Sequence, residues 1–525
     1  MTKEEYVYAH ILEALSGGLY PNKLDVTREY LQNSYDSIRE YINKAPDTKE
    51  RKRRMSNCKI TITIKGGSFF IHDNGTGMDF KTLHEYRKIG FSRKHFGMYA
   101  GWRGIGKAAG FSISEKLIVT TSKGKGETFQ LTFETKKMID EVNILRSKGE
   151  NIPFNDLIEK HSQIKRIDNG ETNYTNVELH KIVKGAEILL EKNQLIKHLS
   201  FISPIPFDPN FEYGKEIEKE LESAIDDYTL INLYVEGERI YKPYLEEWSL
   251  RNNSIKLNKP LYIPVYDEKK ENLIAFCWYC THTKRGQIKV NRFISELELD
   301  IAGLIYRLDD IKIGDSYLTR NSLWRTTTPQ LALYVVGEIH VLNKLVEPTS
   351  DRNDFIDNNA RFVFYEMCRE ITKEINRKAR KLSIEEVAEE KIIESEKRVQ
   401  VISEELEETN IPKKAIPKYI YELESIKEDM EKRKPATPKE ELKELASMII
   451  KKSDEMVDKI TDSMSKPEKD QRVYYDVLEQ LQIQEEGRII YNTIIDNLLY
   501  YYADNPEKFE DIVRRIDKAL IDIFS

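Results

Sequence analysis

The run Glu29-Tyr30-Leu31-Gln32-Asn33-Ser34-Tyr35-Asp36 holds a carboxylate and a carboxamide four residues apart. On a helix that spacing puts Glu29 and Asn33 on one face, with Asp36 at its edge. A carboxamide oxygen can ligate Mg²⁺, and a neighbouring carboxylate can orient or deprotonate a water. Further on, Ile71-His72-Asp73-Asn74-Gly75-Thr76-Gly77-Met78 places a carboxylate at a strand end. The two glycines let the backbone turn sharply while Asp73 faces a pocket, where it can accept a hydrogen bond from an exocyclic amine such as that of adenine. A third run, from Gly97 to Gly110, has glycines at 101, 104 and 106 ahead of helix-compatible residues. Their amides can approach phosphate oxygens, and Arg103 and Lys107 add full positive charge. Ala108 stands where a Walker-type loop carries its hydroxyl residue, so this loop is of another kind. Taken singly, each run has a commonplace alternative: a solvated helix face, an Asp-x-Gly turn, a flexible glycine loop.

The elements that must position these groups follow from periodicity. Tyr6 to Leu15 and Val26 to Ile42 read as helices. Lys59 to Lys65 alternates strictly and reads as a half-buried strand, Gly66-Gly67 as a turn, and Ser68 to His72 as a second strand. Lys116 to Thr121, Thr128 to Phe133 and Thr175 to Ile182 read as further strands. This predicts one mixed sheet with helices on one face. A second α/β region is expected from about Leu230 to Tyr365, with strands at Ile231 to Val235, Leu273 to Tyr279, Gln287 to Val290, Leu304 to Tyr306 and Ala332 to Val336. Past about residue 370 strand signals vanish. Lys, Glu and Ile recur there at helical spacing, and Pro412, Pro417, Pro435, Pro438 and Pro467 divide the segment. The pairs Ile489/Ile490, Ile494/Ile495 and Leu498/Leu499 give the last segment an apolar face in need of a partner.

The 525 residues predict about three domains. Hydrophobic residues make up 40% and charged residues 33%, enough apolar content for several cores. A net charge of -7 argues for solubility and against a globally basic nucleic-acid binder. Four cysteines are too few for a disulfide framework, which suits a reducing cytoplasm. Cys277 and Cys280 form one C-x-x-C inside an apolar, β-prone run, which reads as a buried strand rather than half a zinc site. Met1 to His10 has no apolar segment of the secretory kind, and no stretch is apolar enough to span a bilayer. Lys49 to Arg54 is a basic cluster that reads as a solvated loop, with DNA phosphates as the alternative contact.

The order of the runs carries more than any one of them. Glu-x-x-x-Asn on a helix comes first, then Asp-x-Gly-x-Gly after a strand. Ile89-Gly90-Phe91-Ser92-Arg93-Lys94 follows, then Gly-x-x-Gly-x-Gly-Lys, then Thr175 on a late strand. This series resembles the GHKL superfamily of ATPases: gyrase, Hsp90, histidine kinases, MutL and the MORC-type proteins. The resemblance covers roughly residues 5–200. It implies an α/β Bergerat-type ATPase sandwich at 1–210, a ribosomal-S5-like α/β transducer domain at 211–370, and an all-α region at 371–525 for dimerisation or partner binding. It also implies a Mg²⁺-dependent ATPase. Glu29 would activate water and Asn33 would hold Mg²⁺, with Asp36 beside them. Asp73 would bind the adenine amine, Gly75, Gly77 and Met78 would shape the base pocket, and Thr175 would support the base through water. Gly101, Arg103, Gly104, Ile105, Gly106 and Lys107 would wrap the phosphates. Many relatives carry Gly before that Thr, where this chain has Tyr174.

Transducer domains of this kind commonly extend a cation toward the γ-phosphate. Arg307 is the first choice here, with Lys289 and Lys312 as alternatives. The segment from Gly303 to Phe355, ending Pro348-Thr349-Ser350-Asp351-Arg352-Asn353-Asp354-Phe355, faintly resembles the Hsp90 middle segment. The resemblance implies a cytoplasmic, ATP-dependent homodimer. Three outputs fit it: a DNA-associated clamp, an Hsp90-like protein remodeller, and a scaffold docking an effector protein, as in prokaryotic antiviral defence. A histidine kinase would need a phosphoacceptor hairpin ahead of Glu29, and a MutL-type nuclease would need metal ligands after His340 and Cys368.

Overall fold

The computed structural model describes residues 8–9, 12, 20–95, 97, 99–168, 170–249, 254–282, 302–324, 329–407, 416–463, 491, 493–495, 498 and 506–524. The chain divides into two compact units, Met1–Ala379 and Arg380–Ser525.

The first unit opens with helix α1 (Asp25–Asn43), the basic helix α2 (Thr48–Asn57) and the hairpin β1 (Lys59–Lys65) and β2 (Ser68–Asp73). Helix α3 (Phe80–Tyr86) leads toward a second hairpin, β3 (Ser114–Lys123) and β4 (Thr128–Phe133). Helices α4 (Thr135–Lys148) and α5 (Phe154–Lys160) precede β5 (Ser162–Asp168) and β6 (Asn173–Ile182). Then come α6 (Lys192–Ile202), α7 (Gly214–Ala224) and the hairpin β7 (Asn232–Val235) and β8 (Glu238–Ile240). All eight strands make one sheet in the order β5-β4-β3-β6-β2-β1-β7-β8.

Alternation explains the burial. In β1, Ile60 and Ile62 are fully buried while Lys59 and Thr63 stay exposed. Helix α1 buries Val26, Tyr30, Leu31, Tyr35, Ile38 and Ile42 against that apolar face. Two expectations change here. The strand expected at Ile231 to Val235 as the start of the second region is β7, which runs parallel to β1 and extends the first sheet. The basic cluster expected in a loop is helix α2, capped by Asp47, whose side chain accepts from the Glu50 amide at 2.7 Å. Arg53 and Arg54 share Glu50 as an ion partner, and Arg51 meets Asp227.

A short hairpin, β9 (Glu247–Ser249) and β10 (Ser254–Lys256), precedes the second sheet. That sheet comprises β11 (Leu261–Tyr266), β12 (Leu273–Thr281), β13 (Gly303–Leu308), β14 (Ile311–Ile313) and β15 (Val335–Val341), ordered β11-β12-β15-β13-β14. β13 and β15 are parallel, joined by a crossover that includes α8 (Ser316–Leu323). The strand expected from Ala332 starts later, because Pro329–Tyr334 forms a 3₁₀ turn. The strand expected at Gln287 to Val290 lies outside the described residues. Cys277 and Cys280 are both buried on β12 and sit in different cores, one on each side of the sheet. At three residues' separation on a strand their side chains face oppositely, so they cannot share a metal.

Helix α9 (Asn359–Glu407) is the longest of the described helices. In the second unit, α10 (Ile416–Arg433) and α11 (Glu440–Ser463) pack with residues 392–402 around Leu423, Met430 and Ile449. Pro417 occupies the first turn of α10, and Pro435 and Pro438 separate it from α11. In the last described helix, α12 (Pro506–Phe524), Phe509 and Val513 pack with Tyr491 and Ile495. No described helix is long and apolar enough to cross a membrane.

Candidate active site

A cavity of about 510 Å³ opens between α1, the end of β2 and the glycine-rich run. Its walls include Glu29, Asn33, Asp73, Lys107 and Thr175, joined by Ser350 and Arg352 from the loop after the second sheet.

Strand register builds one end of the cavity. Asp73 on β2 lies directly opposite Thr175 on β6, and Thr175 lies opposite Thr121 on β3. The Thr121 and Thr175 hydroxyls are 3.2 Å apart, and the Met78 amide donates to Thr121 Oγ1 at 2.8 Å. The Gly75 amide donates to Asp73 Oδ1 at 3.0 Å, behind the cavity wall rather than on it. Gly77 has φ +61°, and a Cβ there would come within 1.8 Å of the Ser122 carbonyl oxygen, so only glycine lets the 73–78 turn lie this close to the sheet. Burial pushes the Asp73 carboxyl up to about 6, against the Gly75 amide and the Ser34 and Ser37 hydroxyls that favour its charged form. Tyr174 takes the position where many relatives have glycine. Its ring stacks on His72 at 5.6 Å, and its carbonyl accepts from Thr121 at 2.8 Å.

In the middle, Asp36 works through the backbone. It accepts from the Ala100 and Gly101 amides at 2.8 and 3.0 Å and from Lys94 Nζ at 2.7 Å. It therefore ties the glycine run to α1 and does not line the cavity. Asn33 does line it, with Oδ1 3.5 Å from Lys94 Nζ.

The far end is formed by the glycine run. Gly101, Arg103, Gly104, Ile105, Gly106 and Lys107 all face the cavity. A Cβ on Gly106 would fall 2.0 Å from Glu29 Oε2, so this glycine gives the carboxylate its room. Lys107 donates to the Phe91 carbonyl at 2.9 Å, and burial, helped by Lys94, pulls its ammonium down to about 7. Burial likewise raises the Glu29 carboxyl above the ordinary range, opposed by Arg352, Arg28 and Arg103. The Tyr20 hydroxyl hydrogen-bonds to Glu29.

The cation reaching this end from the second sheet is Arg352. It is buried, donates through Nη2 to the Ala100 carbonyl, and leaves Nη1 without a protein partner. Burial lowers its guanidinium to about 10 against the pull of Glu29. The expectation for Arg307 is corrected. Arg307 is wholly buried away from the cavity, donating to Glu338 and to the Phe201, Ser203 and Asp310 carbonyls. Lys312 sits 4.2 Å over the Phe201 ring, also off the cavity, and Lys289 lies outside the described residues. Arg352 had no signal of its own in the sequence, since an Asp-Arg-Asn-Asp turn is a common surface motif.

Two buried donors on the wall, Arg352 Nη1 and Gln32 Nε2, have no protein acceptor. With Arg103 and Lys107 alongside, they fit a polyanion bearing many acceptors. The neutral Asn33 oxygen inside the cavity fits Mg²⁺, which takes one or two protein oxygens and completes its shell with phosphate and water.

Residues 24–170 match the family model described as histidine kinase-, DNA gyrase B-, and HSP90-like ATPase. No curated protein matches the chain. The matched span starts at the first turn of α1 and contains Glu29, Asn33, Asp73 and the whole glycine run, while Thr175 and Arg352 lie beyond it. Residues 24–170 therefore carry a GHKL-type ATPase domain.

Proposed function

We propose that the chain hydrolyses ATP and uses the γ-phosphate to switch the docking of its second sheet. The observation that carries this is the convergence of a half-buried carboxyl, Glu29, and a buried and incompletely bonded guanidinium, Arg352, on one end of a cavity whose other end is Asp73. The adenine amine donates to Asp73, and the triphosphate runs past Asn33 toward Lys107 and Arg103. Asn33 would hold Mg²⁺, which when bound neutralises phosphate charge. Glu29 takes a proton from the attacking water, and its raised affinity for protons makes it the stronger base. Arg352 Nη1 donates to γ-phosphate oxygens as charge develops on them. Loss of the γ-phosphate removes that acceptor, so the population of the docked state follows the nucleotide.

The test is Mg²⁺-dependent turnover of the wild type and of Glu29→Ala, with nucleotide affinity measured in parallel. The substitution is expected to cut kcat by about 10²–10⁴, the range for a general base, with affinity retained. Equal turnover by both proteins would overturn the assignment. We further infer an ATP-gated homodimer as the output, supported by the superfamily assignment. Light scattering should then give twice the chain mass with a non-hydrolysable analogue, and a monomer under every nucleotide would exclude it.

A further inference from the structure

We propose that Arg28 is a positioning residue for hydrolysis, acting through Arg352: with Arg103 it grips the backbone of Pro348–Arg352 and so delivers Arg352 to Glu29. The inference rests on the ATPase reading above and adds what controls the second-sheet cation.

Three guanidinium–carbonyl bonds connect this loop to the nucleotide-binding region. Arg28 Nη1 donates to the Asp351 carbonyl at 3.0 Å, and Arg103 Nη2 to the Pro348 carbonyl at 2.5 Å. In return, Arg352 Nη2 donates to the Ala100 carbonyl in the glycine run. Both receptor arginines read backbone, so they sense the path of the loop and not the side chain at 351. Arg28 is buried, is held from the other side by Asp25, and is absent from the cavity wall. It neighbours Glu29 in sequence, but one residue is about 100° of helix rotation, which turns its side chain to the second sheet.

The loop needs such a grip. Arg352 has φ +54°, a left-handed backbone that a long side chain rarely adopts. Such a conformation persists only where the surroundings over-determine it. Internally, the Arg352 amide donates to the Thr349 carbonyl at 3.1 Å, and Thr349 Oγ1 bonds Asp351 Oδ1 at 2.6 Å. The Gly314 amide donates to the Arg352 carbonyl at 2.8 Å. The Arg28 bond falls on the peptide directly before the strained residue. Without it, the turn is free to relax and carry Arg352 off Glu29, while Glu29 stays on α1.

The test is a double-mutant cycle in the full chain with Arg28→Met, Arg352→Ala and the pair. At saturating ATP and Mg²⁺, Arg28→Met is expected to lower kcat about 10- to 100-fold, as misplacement of a reacting group does. Affinity for ADP should stay within about twofold, since Arg352 meets only the γ-phosphate. The double variant should be no slower than Arg352→Ala alone. Losses that multiply would show that Arg28 acts independently and overturn the proposal. If Arg28→Met does not fold, Arg28→Lys keeps the charge beside Asp25 but lacks the second arm, and the same cycle applies. Hydrogen exchange supplies a readout separate from catalysis: amide exchange at Arg352 should accelerate in the Arg28 variant without nucleotide. Unchanged exchange would sink the proposal even if the enzyme is active. A wild type that hydrolyses nothing, with faster exchange in the variant, would instead sink the ATPase reading and leave the grip intact.

Discussion

Two buried arginines, Arg307 and Arg352, come from the same sheet region and end in opposite roles. Arg307 spends its donors on Glu338 and on the Phe201, Ser203 and Asp310 carbonyls. Around it, Glu338 also accepts from Lys242 at 3.0 Å, Tyr244 at 3.0 Å and Trp278 at 3.2 Å. Asp310, Glu338 and His340 lie close enough together to hold a metal, but Lys242 and Arg307 already neutralise the two carboxylates. Arg352 is the reverse. It has one carbonyl partner, an unspent nitrogen, a strained backbone and an open cavity in front of it. The lesson is that burial of a charge does not by itself mark function. Hydrogen-bonding capacity left over after folding does, because only that remains for a ligand.

That contrast can be broken in three ways. The largest effect is expected at the saturated cluster. Arg307→Ala leaves Glu338 short of a partner and should cost about 3–5 kcal/mol of stability, read by denaturant unfolding of the full chain. Nucleotide affinity of the folded fraction should hold, and a stable variant that no longer binds ATP would reverse the two assignments. Arg352→Ala comes next, with kcat down about 10²-fold by loss of one transition-state donor. Its stability should fall far less than that of Arg307→Ala, since it gives up one carbonyl bond; equal destabilisation would show that Arg352 too is mainly structural.

The smallest effect is on pH dependence. On the proposed reading, Asp73, raised to about 6, accepts the adenine amine more strongly when ionised, so kcat/KM should fall as pH drops below that value. The raised Glu29 carboxyl adds to the same limb. Lys107, lowered to about 7, loses its charge above that value and should give a shallow alkaline limb. For stability the sign is opposite to that of a paired carboxylate. The folded state holds the Asp73 proton more tightly than the unfolded chain, so this contribution is present at low pH and is lost between the ordinary 3.8 and about 6. Asp73→Asn should flatten the acid limb, and an unaltered limb would assign it to Glu29 alone.

Local rules were legible without tertiary information. The alternation of β1 and the apolar spacing of α1 are properties of short windows, and both elements appear where the pattern puts them. Glu29 and Asn33 share a helix face because of that spacing, and both line the cavity. Asp36 reads as a ligand at the same level, yet it bonds backbone amides from Ala100 and Gly101. Sequence spacing gives its direction from α1 but not what arrives opposite it. The sheet that takes β7 is hidden for a similar reason: its residues read as a strand, and nothing local says which sheet edge will accept it.

The sequence by itself determined the GHKL-type segment, since its motifs lie on elements whose geometry is fixed by periods of two and 3.6 residues. Only the tertiary structure decided which cation of the second-sheet region lines the cavity with Glu29. Arg28 and Asp351 are 323 residues apart in the chain and 3.0 Å apart in space. Contacts of that range depend on how two packed cores bring their surfaces together. An arginine on a buried strand and one in a surface-type turn look reversed in importance until that packing is known.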